Sequence, residues 1–76
     1  MRIHLGGHLA YYQPEKQSWV ERRLTSPTPL RQVLEELGLP VAEIAITLVN
    51  GHLVDLESAL VKDEDIVQVY PPSNGG

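Results

Sequence analysis

Hydrophobic and polar positions along the chain change period twice, and those changes mark out the predicted elements. Met1 to Leu5 alternates, with Ile3 and Leu5 on one face and Arg2 and His4 on the other, which predicts a half-buried first strand. Gly6-Gly7 interrupts it before Leu9-Ala10-Tyr11-Tyr12, so a bulge or bend is expected at the glycines. Gln13 to Gln17 is polar and contains proline, as a surface hairpin loop would. Alternation returns from Ser18 to Leu24: Val20 and Leu24 share the face expected to meet the core, and Trp19, Glu21 and Arg23 share the other. Trp19 has two readings, a cap on a small core or an anchor for a partner, since tryptophan is enriched at binding hot spots.

The period then lengthens. Thr28-Pro29 reads as a helix start, with threonine as cap and proline in the first helical position. Leu30, Val33, Leu34 and Leu37 follow at i, i+3, i+4 and i+7, one apolar stripe, until Gly38 and Pro40 end the helix. Ile44 to Val49 is a short apolar run that predicts a strand beneath that helix. Asn50-Gly51 is a two-residue hairpin signal, and His52-Leu53-Val54 begins the return strand. Asp55 to Val61 is irregular, with Leu56 and Leu60 expected to tuck under the sheet. Lys62 to Asp65 is a charged turn, and Ile66 to Tyr70 is the last strand. With one amphipathic helix, the economical arrangement is a single sheet burying one face against it, an α+β fold. The domain spans residues 1–70, and Pro71-Pro72 stops the last strand because proline lacks an N–H. Residues 71–76 form a flexible tail ending in Gly75-Gly76, which have no Cβ and fit a narrow channel.

Composition narrows the chemistry. A chain of 76 residues buries only about 60% of its unfolded surface, which leaves little room for an enclosed catalytic cleft. There is no cysteine, and no apolar run approaches the roughly 20 residues that span a bilayer, so a cytoplasmic protein without membrane contact is expected. A net charge of −4 argues against nucleic acid as a partner. His4, His8 and His52 fit no zinc spacing, so no metal site is expected. Asp63, Glu64 and Asp65 are adjacent acids in a turn with no opposing group to tune them, and Gly6-Gly7-His8 lacks the spacing of a phosphate loop. What remains is the tail, whose end presents a carboxylate that is ionised at neutral pH and must be activated before it can react.

The element order, Leu48-Val49-Asn50-Gly51, the acidic turn Asp63-Glu64-Asp65 and the Tyr70-Pro71-Pro72-x-x-Gly75-Gly76 ending together resemble the MoaD/ThiS family of ubiquitin-like sulfur carriers. The Pro-Pro spacer is most similar to the small subunit of molybdopterin synthase. The resemblance implies a β-grasp fold with the first and last strands parallel and adjacent at the sheet centre. It implies that an E1-like adenylyltransferase spends ATP to adenylate Gly76, that sulfur then displaces AMP to leave a thiocarboxylate, and that a synthase subunit accepts the sulfur. Gly75, Pro71 and Pro72 would give the tail access to those partners. The protein would then be a substrate of enzymes, with no cofactor of its own and no catalysis. A thiamine-type carrier and a ubiquitin-like protein modifier are alternatives, as is a β-grasp interaction module that binds through its sheet, with Tyr70, Leu53 and Trp19 as candidate contacts.

Overall fold

The structure is a computed structural model that describes residues 1–72. Five strands form one mixed sheet in the order β2-β1-β7-β4-β5, where β1 is Arg2–Leu5, β2 Trp19–Glu21, β4 Ile46–Val49, β5 His52–Leu53 and β7 Ile66–Tyr70. β1 and β7 are parallel neighbours, with Ile3 opposite Val67 and Leu5 opposite Val69, and the other pairs are antiparallel. This is the β-grasp arrangement, with the first and last strands side by side at the centre. A second, two-stranded pairing joins β3, Thr28–Pro29, to β6, Leu60–Val61.

One face of the sheet packs on α1, Leu30–Glu36. Alternation sends Ile3, Leu5, Val20, Val67 and Val69 to that face, where they meet Leu30, Val33 and Leu34 of the helix. Leu9, Leu39 and Val61 complete the core. Leu37, the last residue of the stripe, is only partly buried. The helix ends as a Schellman motif: Gly38 has φ +78°, its N–H bonds the Glu35 carbonyl at 2.9 Å, and the Leu39 N–H bonds Leu34 at 3.1 Å. The buried Gln13 side chain donates to the Leu37 carbonyl at 3.0 Å, satisfying another acceptor at that end.

Four expectations require correction. The segment after Gly6 is not a resumed strand: Gly7–Tyr12 is a 3-10 helix, with Leu9 and Ala10 buried and Tyr11 and Tyr12 exposed. Two adjacent buried residues followed by two exposed ones cannot alternate on a strand. Thr28 does not cap the helix, because its hydroxyl donates to the Ser26 carbonyl and its backbone pairs with Val61; the Leu30 N–H is satisfied instead by the Ala59 carbonyl at 2.9 Å. β2 stops at Glu21, short of Leu24, whose N–H turns to the Asp63 carboxylate at 2.8 Å. Leu60 does not tuck under the sheet but is 64% exposed, since β6 alternation gives the inward position to Val61.

The turns that lock the sheet are local. Asn50 and Gly51 have φ of 52° and 85°, as a type I′ hairpin with Val49 opposite His52 requires. The Asn50 side chain also donates to Asp65 at 2.9 Å and accepts from the Ile66 N–H at 2.9 Å, tying the β4–β5 turn to the start of β7.

Candidate functional site

The site is built where β7 ends. The Gly6 N–H donates to the Val69 carbonyl at 2.8 Å from one side, and the Ala45 N–H donates to the Tyr70 carbonyl at 2.8 Å from the other. The backbone is therefore held up to Tyr70, and Pro71, which lacks an N–H, ends the ladder. Parallel pairing of Leu5 with Val69, continued by two residues, sets Gly6 against Tyr70 and Gly7 against Pro71. The contacts are close. A Cβ on Gly6 would lie 2.2 Å from Tyr70 Cδ1, and one on Gly7 would lie 2.8 Å from Pro71 Cγ. The two glycines form a seat for the root of the tail. Pro71 is half-buried there and Pro72 is exposed. Gly75 and Gly76 lie outside the described residues.

Two short 3-10 helices flank this root, Gly7–Tyr12 and Val41–Glu43, and a side-chain bridge joins them. Glu43 Oε1 meets His8 Nε2 at 2.6 Å and accepts from the Tyr12 hydroxyl at 2.9 Å. Those two hydrogen bonds, the His8 one first, hold the Glu43 carboxyl below its ordinary range, and the carboxylate in turn raises the Tyr12 hydroxyl. The bridge is exposed, so it orients the flanks more than it stabilises the fold.

The face of the sheet turned away from α1 carries a cross-strand row. Register places Trp19, His4, Gln68, Leu48 and Leu53 side by side, with Tyr70 and Ile46 opposite each other in the next row. His4 lies 5.0 Å from the Trp19 ring and 5.8 Å from the Tyr70 ring, and the Arg2 guanidinium sits 4.5 Å from the Trp19 centroid. Gln68 donates to the Tyr70 hydroxyl at 3.2 Å. His4 Nδ1 is buried and has no hydrogen-bond partner among the described residues. Trp19 is 41% exposed and Leu53 74%, so Trp19 belongs to this outer face and does not cap the core. The three sheet residues singled out in the sequence thus lie on one face, with Tyr70 at the tail root, Trp19 on one edge strand and Leu53 on the other. Sequence reasoning missed Gly6, Gly7, His8 and Glu43. The first two were signalled by register once parallel β1 and β7 are assumed, whereas the bridge joins residues with no local pattern.

Elsewhere the surface offers little chemistry. An open depression of about 520 Å³ beside Met1, Arg2, Arg22 and Arg23 also contains Asp63 and Asp65, so its charges are mixed. The Asp63 carboxyl is held low by the Leu24 N–H and then by the Met1 ammonium. Among the described residues no three His, Asp or Glu side chains are placed to hold a metal ion, and no helix is long and apolar enough to cross a membrane.

A mixed five-stranded sheet grasping one main helix, with its last central strand delivering a seated tail root, defines a small ubiquitin-like protein. The chain belongs to the family described as Mut7-C ubiquitin, whose model matches residues 6–75, and this agrees with its likeness to MoaD/ThiS-type small proteins. A search of curated proteins found no match.

Proposed function

We propose that the protein is a sulfur carrier: Gly76 is adenylated by an E1-like enzyme, converted to a thiocarboxylate, and then gives up its sulfur in cofactor biosynthesis of the molybdopterin type. The observation that carries this reading is the seat at the tail root. The fold holds Val69 and Tyr70 from both sides and packs Pro71 on Gly7, so the chain leaves from a defined point. Six residues from Pro71 reach at most about 20 Å, enough to enter a partner's active site while the domain stays outside. The domain's own part is to present the tail and dock; the ATP and the catalytic groups belong to the activating enzyme.

A second reading is favoured by the outer sheet face, where Ile46, Leu53 and Ile66 are exposed apolar residues beside Trp19 and Tyr70. In that reading the domain is an interaction module that binds through the sheet alone. Appending one alanine after Gly76 separates the two. A carrier with an intact fold loses adenylation because the reacting carboxylate has moved, whereas a sheet-binding module keeps its partner affinity and shows no adenylation in either form.

A further inference from the structure

We propose that Gly6 and Gly7 are positioning residues for the carrier reaction, setting the direction in which the chain leaves β7 at Pro71. This role rests on the carrier reading above.

The case begins with the Gly6 backbone, whose φ of −80° and ψ of 160° are extended values that any residue adopts. Conformation therefore gives no reason for glycine at this position, and space does. Built on this backbone, a Cβ would meet Tyr70 Cδ1 at 2.2 Å, Cε1 at 2.7 Å and Cγ at 3.2 Å. The Tyr70 ring occupies the volume that a side chain at position 6 would need. It cannot swing away freely, because its carbonyl is fixed by the Ala45 N–H, its hydroxyl accepts from Gln68 and its edge meets His4. Gly7 repeats the device one residue on. Its φ of +54° favours glycine, and its missing Cβ leaves room for Pro71 Cγ and Cδ.

Gly38 and Gly51 also have positive φ, yet a Cβ at either meets nothing within 4 Å. Among the described glycines only the pair opposite Tyr70 and Pro71 is closed by contact, which sets the close approach at the tail root. Pro71 is where the tail sets out, so a displacement of Tyr70 or Pro71 from the glycines changes the point and direction at which the chain leaves the sheet. Misplacement of a reacting group by about 1 Å can cost on the order of a hundredfold in rate.

The experiment compares wild type with Gly6→Ala, Gly7→Asn and Gly38→Ala. Asparagine tolerates positive φ, so Gly7→Asn tests the Pro71 contact apart from backbone strain. Gly38→Ala is the control, since it strains a positive-φ backbone at the helix end where an added Cβ meets nothing within 4 Å. Proton NMR reads the seat directly: wild type should show nuclear Overhauser contacts from Gly6 Hα to the Tyr70 ring and from Gly7 Hα to the Pro71 ring, and each variant should lose its own. ATP–pyrophosphate exchange with the E1-like partner reads function at a temperature where every variant is folded. Gly6→Ala and Gly7→Asn should lose on the order of tenfold to a hundredfold in kcat/KM, while Gly38→Ala stays near wild type. Should Gly6→Ala fail to fold, Gly7→Asn carries the test alone, and wild-type exchange by it overturns the proposal. Wild-type exchange by Gly6→Ala, or an equal loss in Gly38→Ala, overturns the proposal. Absence of the contacts in wild type overturns the proposal, whatever the exchange rates. No exchange by wild type with a competent partner overturns the carrier reading, even if the contacts are present.

Discussion

Replacing Asn50 should destabilise the handle without touching the tail chemistry. Asn50 sits at φ 52°, donates to the buried Asp65 carboxylate and accepts from the Ile66 N–H. Asn50→Ala places a Cβ residue with no compensating side chain in the left-handed region, at roughly 1 kcal/mol. It also removes two hydrogen bonds, one of them to a carboxylate, at roughly 1 and 1.5 kcal/mol. The sum is about 3.5 kcal/mol, against roughly 4–11 kcal/mol for the whole domain at ordinary stability per residue. A shift of about 4–8 °C per kcal/mol then lowers Tm by roughly 14–28 °C. Asn50→Gly keeps the backbone freedom and loses only the side-chain bonds, so it should fall between wild type and Asn50→Ala, about 1 kcal/mol above the alanine variant. Urea unfolding monitored by Trp19 fluorescence measures all three. A loss below 1 kcal/mol in Asn50→Ala, or a glycine variant less stable than the alanine one, would refute the reasoning. Because this turn adjoins the start of β7 and the tail leaves from its end, folded Asn50→Gly should be activated at the wild-type rate.

Other perturbations probe the remaining layers. Leu34→Ala removes a fully buried side chain between helix and sheet and should cost about 2–5 kcal/mol in urea unfolding. Glu43 has its folded pKa depressed below the ordinary 4.5, so its bridge contributes stability that is present above that pH and lost as the pH falls through the lower folded value. The difference in Tm between wild type and Glu43→Gln should therefore be present near neutral pH and close in the acid range below 4.5. Trp19→Ala should leave stability within about 1 kcal/mol of wild type, because the ring lies on the outer face, while titration calorimetry shows weaker binding to any partner that docks on the sheet.

How far the sequence foretold this molecule depended on how local each signal was. The Leu30, Val33, Leu34 stripe, the Gly38 stop, the Asn50-Gly51 turn and the alternation of Ile3 with Leu5 are decided within a few residues, and all are present in the structure. The 3-10 helix at Gly7–Tyr12 was obscured because its buried pair, Leu9 and Ala10, fits neither a strand nor a helix period. β3 and β6 are two-residue strands paired across the stretch that holds α1, β4 and β5, and one contains proline, so no periodicity announces them. Within the candidate site, the strand end and proline stop were readable from Tyr70-Pro71-Pro72. The facing glycines were not, because nothing in Gly6-Gly7 alone says what will lie above them. Their meaning depends on the parallel register of β1 with β7, a contact between the two ends of the chain.

The central claim, that the domain exists to present Gly76 for sulfur transfer, is tested most directly by intact mass spectrometry. Purified protein would be incubated with an E1-like partner, ATP and a sulfur donor, then fragmented to locate any change. The account predicts a mass gain equal to replacing one oxygen by sulfur, confined to the C-terminal fragment that contains Gly76. An unchanged mass, with a partner shown to be active on another carrier under the same conditions, would contradict it.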